Sequence, residues 1–143
     1  MDTLSKNSPA IPTGFLTRPE VYIDFLFEQD LLYILIKNYS HAPAFRVSVK
    51  FDQNLIGLKG TKDLSSLAIF QNIEFLAPNK ELKVLIDSAN GYFNSGQPTK
   101  FTTTITYYDQ DKKQYKKKIK HDIIIYKDLV YMSRPFDSIH HPF

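Results

Sequence analysis

Hydrophobic and polar residues alternate along most of the chain between positions 20 and 126. In 45–52, apolar residues occupy every second position from Phe45 to Phe51, and polar residues fill the positions between them. A period of two residues is typical of a β-strand with one buried face. This period, or a short apolar run, predicts seven strands: 20–28, 32–38, 45–52, 69–76, a strand around 82–86, 100–108 and 114–126.

Turn-forming residues separate the predicted strands. Residues 29–30 predict a tight turn, so the first two strands form a hairpin or meet across the sandwich. A short helical turn is predicted at 63–66, with Asp63 as its N-cap. The segment 88–98 is predicted as a connecting loop, anchored by the aromatic residues 92–93. Because no long segment has a helical period, the fold class predicted is an all-β antiparallel sandwich.

Both ends of the chain lie outside this pattern. Residues 1–19 are rich in proline, serine and threonine, which predicts a flexible leader. Residues 127–143 have no period and are predicted to form an extended C-terminal tail. The sandwich itself is therefore expected over 20–126. The 143 residues are 43% hydrophobic, which is enough for one buried core.

A motif stands between the second and third strands. The stretch 35–44 (LIKNYSHAPA), followed by apolar residues at 47, 49 and 51, resembles the N-x-G-x-x-P-A-x-x-V-x-V-x-F signature of bacterial and archaeal immunoglobulin-like domains of the cell-adhesion-related type. One departure is Ser40, which stands where glycine is usual, so the backbone of this loop is expected to differ there.

Two later stretches extend the resemblance. Residues 76–82 are similar to the proline turn of such domains, and residues 105–109 are similar to their Y-x-D hairpin. The resemblance covers about 20–126, and its motifs are structural. It implies an immunoglobulin-like β-sandwich with a general interaction role and no attached reaction. Fold alone does not define function.

Charge is concentrated in one segment. The net charge is only +3, which by itself does not argue for a nucleic-acid partner. Lys117 falls in phase with Tyr115 and Ile119, which predicts a bulge or an exposed edge. Tyr107, Tyr108 and Tyr115 lie near enough in sequence to stack on bases. Six candidate partner-binding lysines lie in this segment: Lys112, Lys113, Lys116, Lys117, Lys118 and Lys120.

These lysines have three interpretations. They protect a strand edge against pairing with other chains, bind an acidic protein, or contact the phosphates of a nucleic acid. An anionic membrane surface would offer the same charge. Protection of a strand edge is the favoured interpretation, ahead of an acidic protein partner and then a nucleic acid.

No catalytic or metal-binding pattern accompanies them. The chain has no cysteine, so disulfides, zinc-thiolate sites and thiol nucleophiles are excluded. There is no G-x-S-x-G elbow and no Gly-rich phosphate loop. His140 and His141 with Asp137 form the one local cluster of metal-ligand types, and it lies in the predicted tail. Neither an enzyme, a cofactor nor a bound metal is expected.

The predicted tail carries further candidates for partner binding, Tyr131, Phe136 and Phe143. Exposed aromatic side chains are costly unless something covers them. The tail either packs back across the sandwich or adds to a neighbouring subunit as an extended strand.

The expected function is a non-catalytic protein-interaction or assembly module, such as an accessory or scaffold subunit. It would act through an exposed edge strand and the tails, on a protein partner or in a homo-oligomer. The alternative is a nucleic-acid-binding accessory protein that uses the basic hairpin 112–120. The given sequence contains no signal peptide and no stretch of about 20 apolar residues, so no membrane span and a cytoplasmic location are expected.

Overall fold

Antiparallel strands make up most of residues 18–129, which are the residues that the computed structural model describes. Helices are short: a 3-10 turn at Leu64–Ser66, α1 at Ala68–Gln71, α2 at Ala89–Asn94, and a helical segment at 125–129. The strands are β1 (Val21–Glu28), β2 (Leu31–Asn38), β3 (Ala44–Phe51), β4 (Ile56–Gly57), β5 (Lys62–Asp63), β6 (Ile73–Leu76), β7 (Glu81–Ser88), β8 (Lys100–Tyr108) and β9 (Gln114–Asp122).

The strands form two main sheets and a small hairpin. One sheet has the order β1-β2-β7, the other has the order β6-β3-β8-β9, and β4 pairs with β5. All pairs are antiparallel. The predicted all-β antiparallel sandwich is therefore confirmed.

The first two strands form the tight hairpin that the sequence allows. Val21 pairs with Asn38 and Glu28 with Leu31, so the two strands lie side by side in one sheet. The turn residues Gln29 and Asp30 have φ of 51° and 66°. Two consecutive left-handed residues match the twist of flanking strands and favour a two-residue turn.

The core lies between the inner faces of the two main sheets. The predicted inward residues of β2 are fully buried, and Phe101, Ile105 and Tyr107 meet them from β8. Tyr92 of α2 is the predicted anchor. It is fully buried, and its hydroxyl donates to the Pro98 carbonyl at 2.5 Å. Burial of these positions is the main stabilising contribution to the fold.

One residue of the predicted inner face lies outside the core. Phe45 pairs with Tyr108 and Ser48 with Thr106, so β3 has one extra residue relative to β8. Such a bulge resets the alternation of side chains. Val47 is buried as predicted, whereas the ring of Phe45 packs against the exposed Phe75, 5.4 Å between ring centroids. The prediction that Phe45 shares a face with Val47 is wrong.

Two segments are helical where the sequence predicted otherwise. The predicted strand 69–76 begins as α1, which buries Phe70, and only Ile73–Leu76 is extended. The predicted loop 88–98 contains α2, whose N-cap Ser88 accepts the N–H of Gly91. In contrast, the turn at 63–66 forms as predicted, and the carboxylate of Asp63 caps it.

The last strand ends earlier than predicted. β9 stops at Asp122, and residues 125–129 are helical rather than extended. Tyr126 packs its ring against Phe27 across the sandwich, 6.4 Å between centroids. The strand predicted to reach Tyr126 and the extended backbone predicted for 127–129 are both wrong.

The corner that carries the sequence motif is a buried polar network. Asn38 and Ser40 are fully buried. The Asn38 amide donates to the carbonyls of Ala42 at 2.7 Å and Leu76 at 3.2 Å, and its oxygen accepts the Ser40 N–H at 3.1 Å. Ser40 Oγ lies 2.8 Å from the Asn38 oxygen and accepts the Ala42 N–H at 3.1 Å. Ser40 has no positive φ, so this loop does not require glycine.

Candidate interaction surface

The second sheet ends in a long free edge. β9 pairs with β8 without interruption, from the pair Lys100 and Asp122 at one end to the pair Tyr108 and Gln114 at the other. No described strand lies on its other side. The exposed edge predicted around Lys117 is confirmed, and the alternative of a bulge is excluded. A regular free edge is a template for an added strand.

The alternation of the ladder identifies which backbone groups are free. The N–H of Ile123 donates to the Thr99 carbonyl, and the N–H of Asp109 to the Lys113 carbonyl. In this register, the odd-numbered residues of β9 therefore exchange backbone hydrogen bonds with β8. The even-numbered residues point their N–H and carbonyl groups outward, away from β8. The even-numbered residues in the middle of the strand are Lys116, Lys118 and Lys120.

The six candidate lysines do not form a single surface. The side chains of Lys116, Lys118 and Lys120 are exposed on the outer face of the sheet, opposite Thr106, Thr104 and Thr102. Lys112 and Lys113 belong to the turn that precedes β9. The side chain of Lys117 points in the opposite direction, towards the inside of the sandwich, and is half-buried. We refer to Lys116, Lys118 and Lys120 as the lysine row.

Lys117 is already engaged within the molecule. Its Nζ lies 2.7 Å from Glu20 Oε1 and 3.7 Å from the ring centroid of Tyr22. Burial alone would lower the pKa of Lys117, but hydrogen bonds to Glu20 and Tyr107 raise it overall. Burial would likewise raise the pKa of Glu20, but Lys117 and Arg18 lower it overall. Lys117 therefore stays charged at neutral pH, and its charge is directed towards Glu20 rather than towards a partner.

The other long edges are at least partly occupied. At the middle of β1, the N–H of Phe25 donates to Asp24 Oδ1 at 2.8 Å, and its carbonyl accepts the Tyr126 hydroxyl at 2.9 Å. On β7, the Ile86 carbonyl accepts the N–H of Leu58 at 2.8 Å. Among the strands of residues 18–129, β9 is therefore the longest edge without such cover.

A groove of about 500 Å³ runs between β1 and β9. On its floor, His121 Nε2 lies 3.0 Å from Thr103 Oγ1, and its ring contacts Phe25 edge-on. Burial lowers the pKa of His121, and the charge of Asp24 opposes this only in part. The groove is lined by Tyr22, Ile23, Asp24, Tyr39, Ile119, Lys120 and His121.

The three tyrosines do not form a stacking platform. Tyr107 is fully buried, and its ring stacks on Tyr115 with 5.5 Å between centroids. Tyr108 lies on the outer face, where the guanidinium of Arg46 covers its ring at 4.2 Å. The expectation that Tyr107 stacks on bases is therefore wrong, and Arg46 already covers one face of Tyr108.

Several predicted residues cannot be placed. Tyr131, Phe136, Phe143 and the cluster of Asp137, His140 and His141 lie outside the described residues. Glu20 was missed as the partner of Lys117, because 97 positions separate the two and no local pattern links them.

Residues 18–129 contain neither a cluster of metal ligands nor a membrane-spanning helix. No three histidine or carboxylate side chains in this range converge as metal ligands. No helix in this part of the chain has the length and apolar character needed to cross a membrane.

Two packed antiparallel sheets define the chain as a β-sandwich domain. Its sequence matches the model of the family described as domain of unknown function DUF8453 over residues 15–127. The chain belongs to this family, and the match spans both sheets and the groove. No curated protein matches the chain.

Proposed function

We propose that the chain is a non-catalytic protein-interaction or assembly module that binds an extended segment of its partner at the free edge of β9. The observation that carries this proposal is the regular nine-residue edge, whose outward N–H and carbonyl groups have no partner strand within residues 18–129. Strand addition supplies main-chain hydrogen bonds, and side-chain contacts supply specificity.

The lysine row favours an acidic partner strand. Residues directly opposite each other on neighbouring strands have Cβ atoms about 5 Å apart, so opposite charges there are stabilising. A segment with Asp or Glu at alternate positions would place its carboxylates beside the lysines. Its remaining side chains would turn towards the groove between β1 and β9.

The same charges disfavour self-pairing through this edge. An antiparallel pair of β9 strands centred on Lys118 would place Lys118 against its copy and Lys116 against Lys120. Like charges directly opposite each other are destabilising. The partner strand therefore comes from a different sequence.

The order of the strands supports the immunoglobulin-like resemblance. When the β4–β5 hairpin is set aside, the first, second and fifth strands share one sheet, and the third, sixth and seventh share the other. This distribution is that of an immunoglobulin constant domain, whose fourth strand joins the first sheet. Here the fourth strand, β6, pairs with β3 in the second sheet instead. Domains of this architecture commonly serve as interaction modules, which agrees with the proposal.

A nucleic-acid-binding accessory protein is the second candidate, because the lysine row is regular enough to contact phosphates. It is the weaker candidate because Tyr107 is buried and Arg46 covers Tyr108.

Proline at position 118 tests strand addition. Lys118→Pro removes an outward N–H that β8 does not use, so the fold should persist while an added strand loses a hydrogen bond. Lys118→Ala removes the charge and keeps the N–H. Proteins that co-purify with the wild-type chain, identified by mass spectrometry, should be lost with Lys118→Pro and retained at least in part with Lys118→Ala.

Two outcomes would contradict the proposal. Equal recovery of partners with both variants would exclude strand addition at this edge. Loss of retention on single-stranded DNA or RNA at low salt in Lys118→Ala, with no effect of proline on any protein partner, would support the nucleic-acid alternative.

A further inference from the structure

A second surface lies on the same outer face of this sheet, where β3 meets β6 and β8, and its centre is Arg46. This residue has φ of 49° inside β3, at the bulge described above. A left-handed backbone is unfavourable for a residue other than glycine. Bulges are frequent beside functional sites, where they change the direction of a side chain. The left-handed backbone and the bulge place the side chain of Arg46 on the outer face of the sheet, beside Phe45.

The guanidinium of Arg46 is held in place but has no polar partner among the described residues. Its central carbon lies 4.2 Å from the ring centroid of Tyr108. Within residues 18–129, the guanidinium stacks on this ring and makes neither a hydrogen bond nor an ion pair. A stacked guanidinium is oriented in advance, and its planar fork of N–H groups matches a carboxylate.

Two aromatic side chains lie next to the N–H donors of Arg46. Phe45 and Phe75 meet edge-on, 5.4 Å apart, and the side chain of Phe75 is 55% exposed. A concavity of about 320 Å³ lies between Phe45, Arg46, Glu74, Tyr108 and the turn before β9. Exposed aromatic rings beside an arginine are the composition of binding hot spots.

The charges around the concavity select the ligand. Arg46 and Lys112 are balanced by Glu74 and Asp109, so the lining has no net charge. Both carboxylates already accept hydrogen bonds, Glu74 from Asn72 and Asp109 from the N–H of Lys113. Bidentate pairing with the guanidinium therefore favours one carboxylate, because Glu74 and Asp109 repel a dianion such as phosphate about twice as strongly as a single negative charge.

We infer that this concavity, the Arg46 site, binds a single carboxylate that is attached to an apolar group, as in an Asp or Glu side chain next to a hydrophobic residue of a polypeptide. The carboxylate pairs with Arg46, and the apolar group packs on Phe45 and Phe75. This inference goes beyond strand addition at β9, because it uses a different part of the sheet and different residues.

A titration with matched peptides tests the inference. The probes are N-acetyl-Phe-Glu-Phe-amide and N-acetyl-Phe-Gln-Phe-amide, added to the ¹⁵N-labelled chain and followed by amide chemical shifts. The glutamate peptide should give saturable shifts around 45–46, 74–75 and 108–112, with an affinity on the order of 1 mM for so small a ligand. The glutamine peptide should bind about tenfold more weakly, because it lacks the charge-assisted pair.

Glycine at position 46 separates binding from folding. Arg46→Gly suits the left-handed backbone, so the thermal midpoint of unfolding should be unchanged or higher. The preference for the glutamate peptide should be lost. Lys118→Pro, in contrast, should bind the glutamate peptide as the wild type does, so failure of the proposal for β9 would be seen separately.

Three results would overturn the inference. These are no saturable shifts with the glutamate peptide, equal affinity for the two peptides, or an unchanged preference in Arg46→Gly. Inorganic phosphate that shifts the same amides with equal or higher affinity would also overturn it, since it would identify a general anion site.

Discussion

Single residues fix the points at which the chain changes direction or sheet. Asn38 is the clearest case, because its one side chain bonds backbone groups of the loop and of β6. Lys117 and Glu20 fix a second point, where β9 meets the residues just before β1. In both cases a polar group is buried or half-buried together with its partner, which is the condition for tolerating it in such a place.

Asn38→Ala should destabilise the fold strongly. It removes the Asn38 side chain from the buried Leu76 carbonyl and Ser40 N–H, and the Ala42 carbonyl keeps only Ser40 Oγ at 3.0 Å. The expected loss in the free energy of unfolding is about 2–4 kcal/mol, measured by urea denaturation. Asn72→Ala is the matched control. Its exposed amide bonds only Glu74, and a change of less than about 0.5 kcal/mol is expected.

The Glu20–Lys117 pair should contribute stability over a defined pH range. Because the pKa of Glu20 is below the value of 4.5 for the free side chain, its contribution is complete above that value and is lost as the pH falls through the folded pKa. Because the pKa of Lys117 is above 10.5, its contribution is complete below that value and is lost as the pH rises further.

Glu20→Gln tests this range. The variant should be less stable than the wild type by about 1 kcal/mol between pH 6 and 9, and the difference should shrink as the pH falls below 4.5. Urea unfolding of both proteins at a series of pH values measures it. A difference that is the same at pH 3 and pH 7 would show that the ion pair is not its source.

At the scale of elements, the sequence predicted the main strands correctly. It failed at the bulge in β3 and at the short helices. The hairpin at 29–30 and the free edge at Lys117 followed from period and turn residues, each as one of two alternatives that the sequence left open. The shift at Arg46 did not, because a bulge depends on the pairing of β3 with β8, and local alternation does not report it. Four-residue α1 is too short for a helical period, so its apolar residues were indistinguishable from a strand.

The connection between β4 and β7 depends on a missing side chain. A Cβ at Gly57 would lie 2.2 Å from the Ile86 carbonyl oxygen and 2.7 Å from Leu64 Cδ1. Gly57→Ala should therefore cost about 2 kcal/mol or more, because the backbone of β7 must move. Gly60→Ala is the control: no atom lies within 4 Å, and only its φ of 80° opposes alanine, at about 1 kcal/mol. Urea midpoints in the reverse order would contradict this explanation.

At the scale of the whole molecule, the decisive feature is the edge of β9, which no other strand of residues 18–129 covers. Tyr126 covers the middle of β1, and the segment around Leu58 contacts β7, so association should be directed to β9. The sequence indicated that an edge lay there. It did not indicate which lysines were available, since that depends on Glu20, which comes close to β9 only in the folded chain.

Charge reversal of the lysine row should create a specific pair of chains. Lys116→Glu, Lys118→Glu and Lys120→Glu together change the net charge from +3 to −3, two units for each substitution. Wild type and triple variant should each stay monomeric, because like charges would face each other. A mixture should form a one-to-one dimer, detectable by sedimentation velocity. Absence of the mixed dimer would show that charge is not what keeps β9 edges apart.

The charges and the outward amides of β9 act over different distances, and this has a consequence for the rates of binding. The lysine row acts over several ångströms on the approach of a ligand, whereas the outward amides act only after contact. Raising the salt concentration should thus slow association with little change in the dissociation rate. Compared with Lys118→Ala, which loses the same charge, Lys118→Pro should shorten the lifetime of the complex with little further change in the association rate.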